Sequence, residues 1–417
     1  MKVLLSAVVC RPGIGSEWGA GWNWALQMAR RHEVWCLTSP NNRSAIEAEI
    51  KLQRGIKLHF VYCDLPGQET LWWKPSKWGF DTLFAWTRYY AWQWVAYQEA
   101  RKLHAQIHFD LAHHVTFASW RVPSFLWRLG IPFIWGPVGG GQEIPRAFRR
   151  SLGPAGITSH LVRYFAQCIS YYDPMVRATR RQAAGVLAGN RETQQLLARL
   201  PGPEPKIFPL ASGETVPRGD TFRNPADHEP LSILWVGRIV PWKGLHLLIR
   251  ALGVLVQQQD GGVPFHLTVV NVGPDMHRCQ KLADSLGLRG RVSFVGRLPT
   301  RSDVLSVYHR ADVFVFTSLC ESLGQVLLEA MGSGLPVICL DHGGPGFIAT
   351  PECGFIIDPR SEEYVVEKMA EAIKTLARDP ALRLRMGRAA LKRAKEDFSW
   401  DMLGERMDII YREATNR

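Results

Sequence analysis

Two successive rounds of short apolar runs, each run followed by helical periodicity, leave this 417-residue chain few folds to choose from. KVLLSAVV, EVWCLTS, LHFVYC, LAHHV, PFIWG and GVLAG occupy the first half, with stretches such as WNWALQMARR between them. Residues 201–230 are rich in Pro, Gly and charge and read as linker and loop. ILWVG, HLTVVNVG, RVSFVG, DVFVFTS, PVICL and GFIID then restart the pattern. Continuous apolar strands separated by helices make a parallel sheet covered on both faces. The expected class is α/β, with two Rossmann-like doubly wound sheets. The boundaries are expected at 1–208, 209–396 and 397–417, the last an amphipathic helix.

Composition narrows the function classes. Hydrophobic content of 46% and charged content of 21% describe a globular chain. No apolar run approaches the roughly 18 residues of a membrane-spanning helix. MKVLLSAVVCRPG imitates a signal peptide, but its apolar run is short and leads into a Gly-rich loop, so it reads as the first strand. The eight cysteines are scattered without CxxC or zinc spacing, which favours the cytoplasm and argues against a structural metal. A net charge of +12 suits nucleic acid, acidic membrane or phosphorylated ligands. No nucleic-acid module is present in the sequence, which leaves the latter two.

The loops after two second-half strands hold the residues with chemistry to offer. ILWVGRIVPWKGLHLLIRAL ends its strand at Gly237, and Arg238 and Lys243 flank a Pro-containing turn. A guanidinium fork and a compact ammonium together suit a diphosphate. RADVFVFTSLCESLGQVLLEAMGSGLP reads as strand, turn and helix, with Glu321 before the helix and Glu329 eight positions on. Such a turn presents the amides of Ser322, Leu323, Gly324, Gln325 and Val326, with the positive helix end, to an anion. Open α/β sheets bind ligands at these strand ends. Taken singly, each feature has a plainer reading: a capping carboxylate, a solvated helix Glu, two surface cations. A departing diphosphate can be stabilised by a metal on paired carboxylates or by protein cations and helix ends. Without an acidic cluster, the second route, with no metal, is expected here.

Gly237-Arg238 with Lys243, then Glu321-Ser322-Leu323-Gly324 and Glu329-Ala330-Met331, resembles the donor site of family-four retaining glycosyltransferases of the GT-B fold. Gly334-Leu335-Pro336-Val337 and Gly343-Gly344 fit the same pattern, while Leu323 stands where many relatives carry Phe. The resemblance implies two Rossmann-like domains facing a cleft, with the last helix crossing back to the first domain. It implies retaining transfer of a hexose from a UDP-, GDP- or ADP-sugar, with no further cofactor. The acceptor would be a glycan or polyprenyl-linked molecule of cell-envelope or exopolysaccharide synthesis. Glu321 would contact the hexose and Glu329 the ribose. Gly273 and Gly296-Arg297-Leu298 would embrace the base, or serve only as strand-end turns.

In the first half, RPGIGSEWGAGWNWAL puts Gly13 and Gly15 before a helix N-terminus, a place for Gly15 or Ser16 against the diphosphate and Glu17 near the acceptor. His113 and His114 end a strand; since successive residues face opposite ways, at most one is expected to point into the cleft. His113 matches the first of two family His positions, and Val115 stands at the second. In IWGPVGGGQEIPR, Gly139, Gly140 and Gly141 read as a cleft-lining loop. The aromatic stretch LWWKPSKWGFDTLFAWTRYYAWQWVAY, residues 71–97, is either core helix or an interfacial surface at the inner face of the membrane. The rivals are a sugar-nucleotide epimerase or hydrolase, for which Glu17 and Glu143 are the candidate acids, and a non-catalytic glycan- or membrane-binding protein.

Overall fold

The computed structural model describes residues 1–65, 81–213, 230–257 and 263–416. Two compact units emerge. The N-terminal unit comprises Met1–Gly141, Leu161–Ser212 and Trp400–Arg417, and the C-terminal unit Gln142–His160 and Gly213–Ser399.

The N-terminal unit carries β1 (Lys2–Ala7), β2 (Glu33–Thr38), β3 (Leu58–Tyr62), β4 (Leu111–Thr116), β5 (Phe133–Val138), β6 (Gly185–Ala188) and β7 (Lys206–Ile207). They lie in the order β3-β2-β1-β4-β5-β6-β7, each pair parallel. The C-terminal unit carries β8 (Leu231–Val236), β9 (Phe265–Val270), β10 (Val292–Gly296), β11 (Val313–Phe316), β12 (Val337–Leu340) and β13 (Gly354–Ile357). Their order is β10-β9-β8-β11-β12-β13, again parallel. Both sheets reverse direction beside their first strand, the doubly wound Rossmann arrangement expected from the apolar runs. Short β7, with one charged residue, has no apolar run to mark it in the sequence.

The sequence predicts one contiguous boundary near residue 208; residues 142–160 pack with the C-terminal unit. Ile144, Phe148 and Leu152 are buried in its core beside Leu245 and Leu248. The last helix, Trp400–Thr415, packs on the N-terminal unit: Trp400 meets Trp24 edge-on at 5.2 Å, and Arg30 pairs with Asp401 at 2.8 Å. Its buried face is Leu403, Met407, Tyr411 and Ala414. Within this helix Leu403 is fully buried, Met402 and Ile410 are intermediate, and Ile409 is exposed.

Of the aromatic stretch, residues 71–80 lie outside the described residues. Further along, helix Asp81–Ile107 buries Tyr89 and Trp92, with Trp92 Nε1 donating to the Cys63 carbonyl at 2.9 Å. Those two residues are core; Trp94 is 43% exposed.

Candidate functional site

The sheet of the C-terminal unit reverses between β8 and β11, and the loops leaving these two strands are bound together. After β8, the Lys243 amide donates to Val240 at 2.9 Å, closing a short 3-10 turn over Pro241–Lys243. The Lys243 carbonyl accepts from Thr317 Oγ1 at 2.7 Å, and that hydroxyl accepts from Trp235 Nε1 at 3.0 Å. The Leu319 amide donates to the Trp242 carbonyl at 2.8 Å. Across this seam Lys243 Nζ forms an ion pair with Glu321, their side chains 21% and 20% exposed. Arg238 is exposed at the end of β8, one residue past Gly237. The Lys243–Glu321 pair thus lies where an open sheet takes its ligand, with exposed Arg238 on the same loop as Lys243.

The Glu321 loop is held from behind. The Gly344 amide donates to the Glu321 carbonyl at 3.1 Å, and a Cβ on Gly344 would sit 2.2 Å from the Leu323 carbonyl oxygen. Gln142 Nε2 donates to Ser322 Oγ at 2.7 Å, and His342 Nε2 donates to the Glu143 carbonyl at 2.6 Å. Gly324 then caps the helix Gln325–Gly332 with a left-handed φ of 87°, a conformation that favours glycine. Leu323 is buried, while Gln325 and Val326 on the first turn are partly exposed. The helix therefore presents its positive end beside Glu321.

Glu329 sits deeper. Its side chain is 2% exposed; Arg301 Nη2 pairs with one oxygen and the Tyr308 hydroxyl donates to the other at 3.0 Å. Burial and the Glu329 charge push the Tyr308 phenol well above its ordinary range. The Arg301 side chain that covers this carboxylate is 30% exposed. Neither Arg301 nor Tyr308 stood out in the sequence, because a pairing 28 residues away leaves no local pattern.

The loops expected to face the base are joined in register. The Ile239 amide donates to Val272 at 3.2 Å, and the Asn271 amide to Gly296 at 2.6 Å. Gly273 has no room for a side chain, since a Cβ would meet the Ile239 oxygen at 2.0 Å. Arg297 is exposed and Leu298 half-buried beyond Gly296.

In the N-terminal unit, Gly15 is the N-cap of helix Ser16–Ala29, and a Cβ there would meet nothing. Glu17, in the first turn, accepts from the Ala118 amide, and burial raises its pKa to about 7. A carboxyl raised from about 4.5 in the unfolded chain contributes stability fully below that value and loses it as pH climbs toward 7. Glu17→Gln keeps the acceptor oxygen and removes the charge. The expected result is a variant more stable than the parent by on the order of 1–3 kcal/mol at pH 8 and equal to it at pH 4, read from thermal melts. An equal offset at both pH values would contradict a carboxyl raised by its folded surroundings.

His113 and His114 are 0% and 1% exposed. The Gly136 carbonyl can only accept, so His113 Nε2 carries the proton, and Nδ1 accepts from the Tyr411 hydroxyl at 2.5 Å. His114 Nε2 lies 3.2 Å from the Tyr89 hydroxyl. Burial pushes their pKa values down to about 3 and about 4, so both rings are neutral. Alternation allows at most one ring on the ligand side; in the structure both are enclosed, His113 against Tyr411 and His114 against Tyr89, and they tie strand β4 to its covering helices. Gly139, Gly140 and Gly141 end the first part of this unit, and Gln142, which follows them, belongs to the other unit. Among the described residues, no three His, Cys, Asp or Glu side chains converge as metal ligands.

Residues 219–393 match the family of glycosyl transferases, group 1, and the match takes in Arg238, Lys243, Glu321 and Glu329. This region is a group 1 glycosyl transferase domain. The chain is 33% identical over 191 residues to a D-inositol 3-phosphate glycosyltransferase of Corynebacterium glutamicum, a stretch covering 44% of this chain and 43% of the relative. It is 32% identical over 222 residues to a GDP-mannose-dependent alpha-(1-6)-phosphatidylinositol monomannoside mannosyltransferase of Mycobacterium tuberculosis, 48% of this chain and 55% of that one. These matches span about half the length of the relatives. A sucrose-phosphate synthase from Thermosynechococcus elongatus shares the fold over 99% of this chain and 98% of its own, with a TM-score of 0.63 at 20% identity. The glycosyl transferase domain is thus one half of a GT-B fold, with the ion pair at its sheet reversal.

Proposed function

We propose that the chain is a retaining, metal-independent glycosyltransferase that moves a hexose from a nucleoside diphosphate sugar to a glycan or lipid-linked acceptor. The observation that carries this reading is the Lys243–Glu321 pair, with exposed Arg238, at the strand ends of a group 1 glycosyl transferase domain. Cleaving the bond between the anomeric carbon and the diphosphate oxygen puts negative charge on the leaving group. Arg238, Lys243 and the N-terminal end of helix Gln325–Gly332 stabilise that charge. Lys243 exchanges part of its contact with Glu321 for phosphate, which frees Glu321 to accept hydrogen bonds from hexose hydroxyls. The acceptor oxygen bonds to the anomeric carbon on the face the diphosphate leaves, and its proton passes to the departing phosphate. Glu329 takes the ribose as Arg301 turns aside, and the loops at Gly273 and Arg297 enclose the base.

The M. tuberculosis relative is named for a GDP-mannose donor and both relatives for inositol-containing acceptors. That likeness is a reason to try GDP-sugars and phosphorylated polyol or lipid acceptors first. All eight cysteines are free and seven are buried, which suits the cytoplasm. Glu17, poised near neutrality, favours a sugar-nucleotide epimerase or hydrolase as the second reading. The test is incubation with UDP-, GDP- and ADP-hexoses in EDTA, with and without acceptors. Acceptor-dependent release of one nucleoside diphosphate is expected, the product keeping the donor's anomeric configuration. Acceptor-independent conversion of the sugar nucleotide would point to the epimerase or hydrolase.

A further inference from the structure

Helix Gly153–Tyr172 is inside-out over residues 161–172. Leu161, Val162, Tyr164, Phe165, Ile169 and Tyr172 are 46–75% exposed. Its buried side is polar: Gln167 Nε2 donates to the Gly140 carbonyl at 2.7 Å, and Arg163 Nη2 to the same oxygen at 3.3 Å. At 100° per residue the six exposed side chains fall on one side of the helix. Apolar surface of this extent on one helix face marks an interaction site.

Charge identifies the occupant. Residues 161–172 contain no acidic side chain. Just beyond Tyr172, a cavity of about 370 Å³ is lined by Tyr172, Pro174, Arg177, Ala178, Arg181 and Pro201. Arg177 and Arg181 are one turn apart on helix Pro174–Gln182, and Arg181 is exposed. The neighbouring carboxylate, Asp173, is committed to capping that helix, accepting from the Met175 amide at 2.7 Å and the Val176 amide at 3.3 Å. A two-fold contact between identical copies through this face would bring its cations toward one another. An anionic lipid surface instead offers acyl chains to the apolar side and headgroup phosphates to the arginines.

We infer that this face of the N-terminal unit, residues 161–172 with Arg177 and Arg181, is where the protein lies on an anionic phospholipid membrane. It is distinct from the aromatic stretch at 71–97, and it stands whether or not the transfer reaction is as proposed. The test is sedimentation of the full chain with phosphatidylcholine vesicles, with and without about a third phosphatidylglycerol. The wild type is expected to pellet with the anionic vesicles. Phe165→Glu with Ile169→Glu should leave the protein in the supernatant with an unchanged melting curve, since both side chains already face water. Arg177→Gln with Arg181→Gln should weaken partitioning to anionic vesicles by about 30-fold and leave that to neutral vesicles unaltered. Wild-type protein that stays in solution, or a Phe165→Glu, Ile169→Glu variant that pellets like wild type, overturns the inference. So does a wild-type dimer in sedimentation velocity that this variant converts to monomer, without vesicle binding by either.

Discussion

Replacing Lys243 with alanine is expected to lower turnover of the donor by about 10²–10³-fold while leaving the protein folded. The ammonium group is held by its backbone turn against the Glu321 carboxylate, at the carboxyl end of the sheet, where we propose that the leaving diphosphate binds. Its contribution is charge that exists before the bond breaks, so its loss falls on the transition state and lowers kcat. The effect on stability is small. Both partners of the pair reach solvent, and an ion pair of that kind contributes roughly 1 kcal/mol or less. Arg238→Ala is expected to act similarly. The double variant should lose less than the product of the two single losses, because both cations are proposed to serve one diphosphate. Near-normal turnover by Lys243→Ala, measured as nucleoside diphosphate released at saturating donor, would remove Lys243 from the site.

Gly344→Ala is the second large effect. The added Cβ would lie 2.2 Å from the Leu323 carbonyl oxygen and 2.5 Å from its Cα. Both are backbone atoms, so no rotamer change relieves the clash. The φ of Gly344, −60°, is open to any residue, which makes this a matter of space and not of backbone conformation. Overpacking of this sort costs typically 1–3 kcal/mol. The loop that must yield is the one carrying Glu321, Ser322 and Leu323, and a displacement of about 1 Å at a reacting centre costs on the order of 10²-fold in rate. Activity should therefore fall much further than a loss of a few degrees in Tm would explain. Full activity in a folded Gly344→Ala protein would show that the loop's position does not matter to the chemistry.

Much of this was legible in the sequence, for reasons that differ by element. Among the described residues, twelve of the thirteen strands stand out as apolar runs, the central ones because a parallel strand covered on both faces is apolar throughout; β7, two residues long, cannot. The same covering of both faces explains His113 and His114. Alternation points them to opposite sides of β4, but Tyr411 of the last helix waits on one side and Tyr89 on the other, so both end up enclosed. Arg238, Lys243 and Glu321 could be picked out because each follows a strand in a short turn. Gln142, Arg301 and Tyr308 could not, since their partners Ser322 and Glu329 are distant in the chain. Ile144, Phe148 and Leu152 show spacing that predicts burial; nothing local says which unit receives them.

The most direct test of the donor site is nucleoside diphosphate release in EDTA by wild-type protein and by the Arg238→Ala, Lys243→Ala double variant, side by side. The predicted result is release from one class of sugar nucleotide by the wild type and none above background by the variant. Equal release by the two proteins would contradict a site built on these cations.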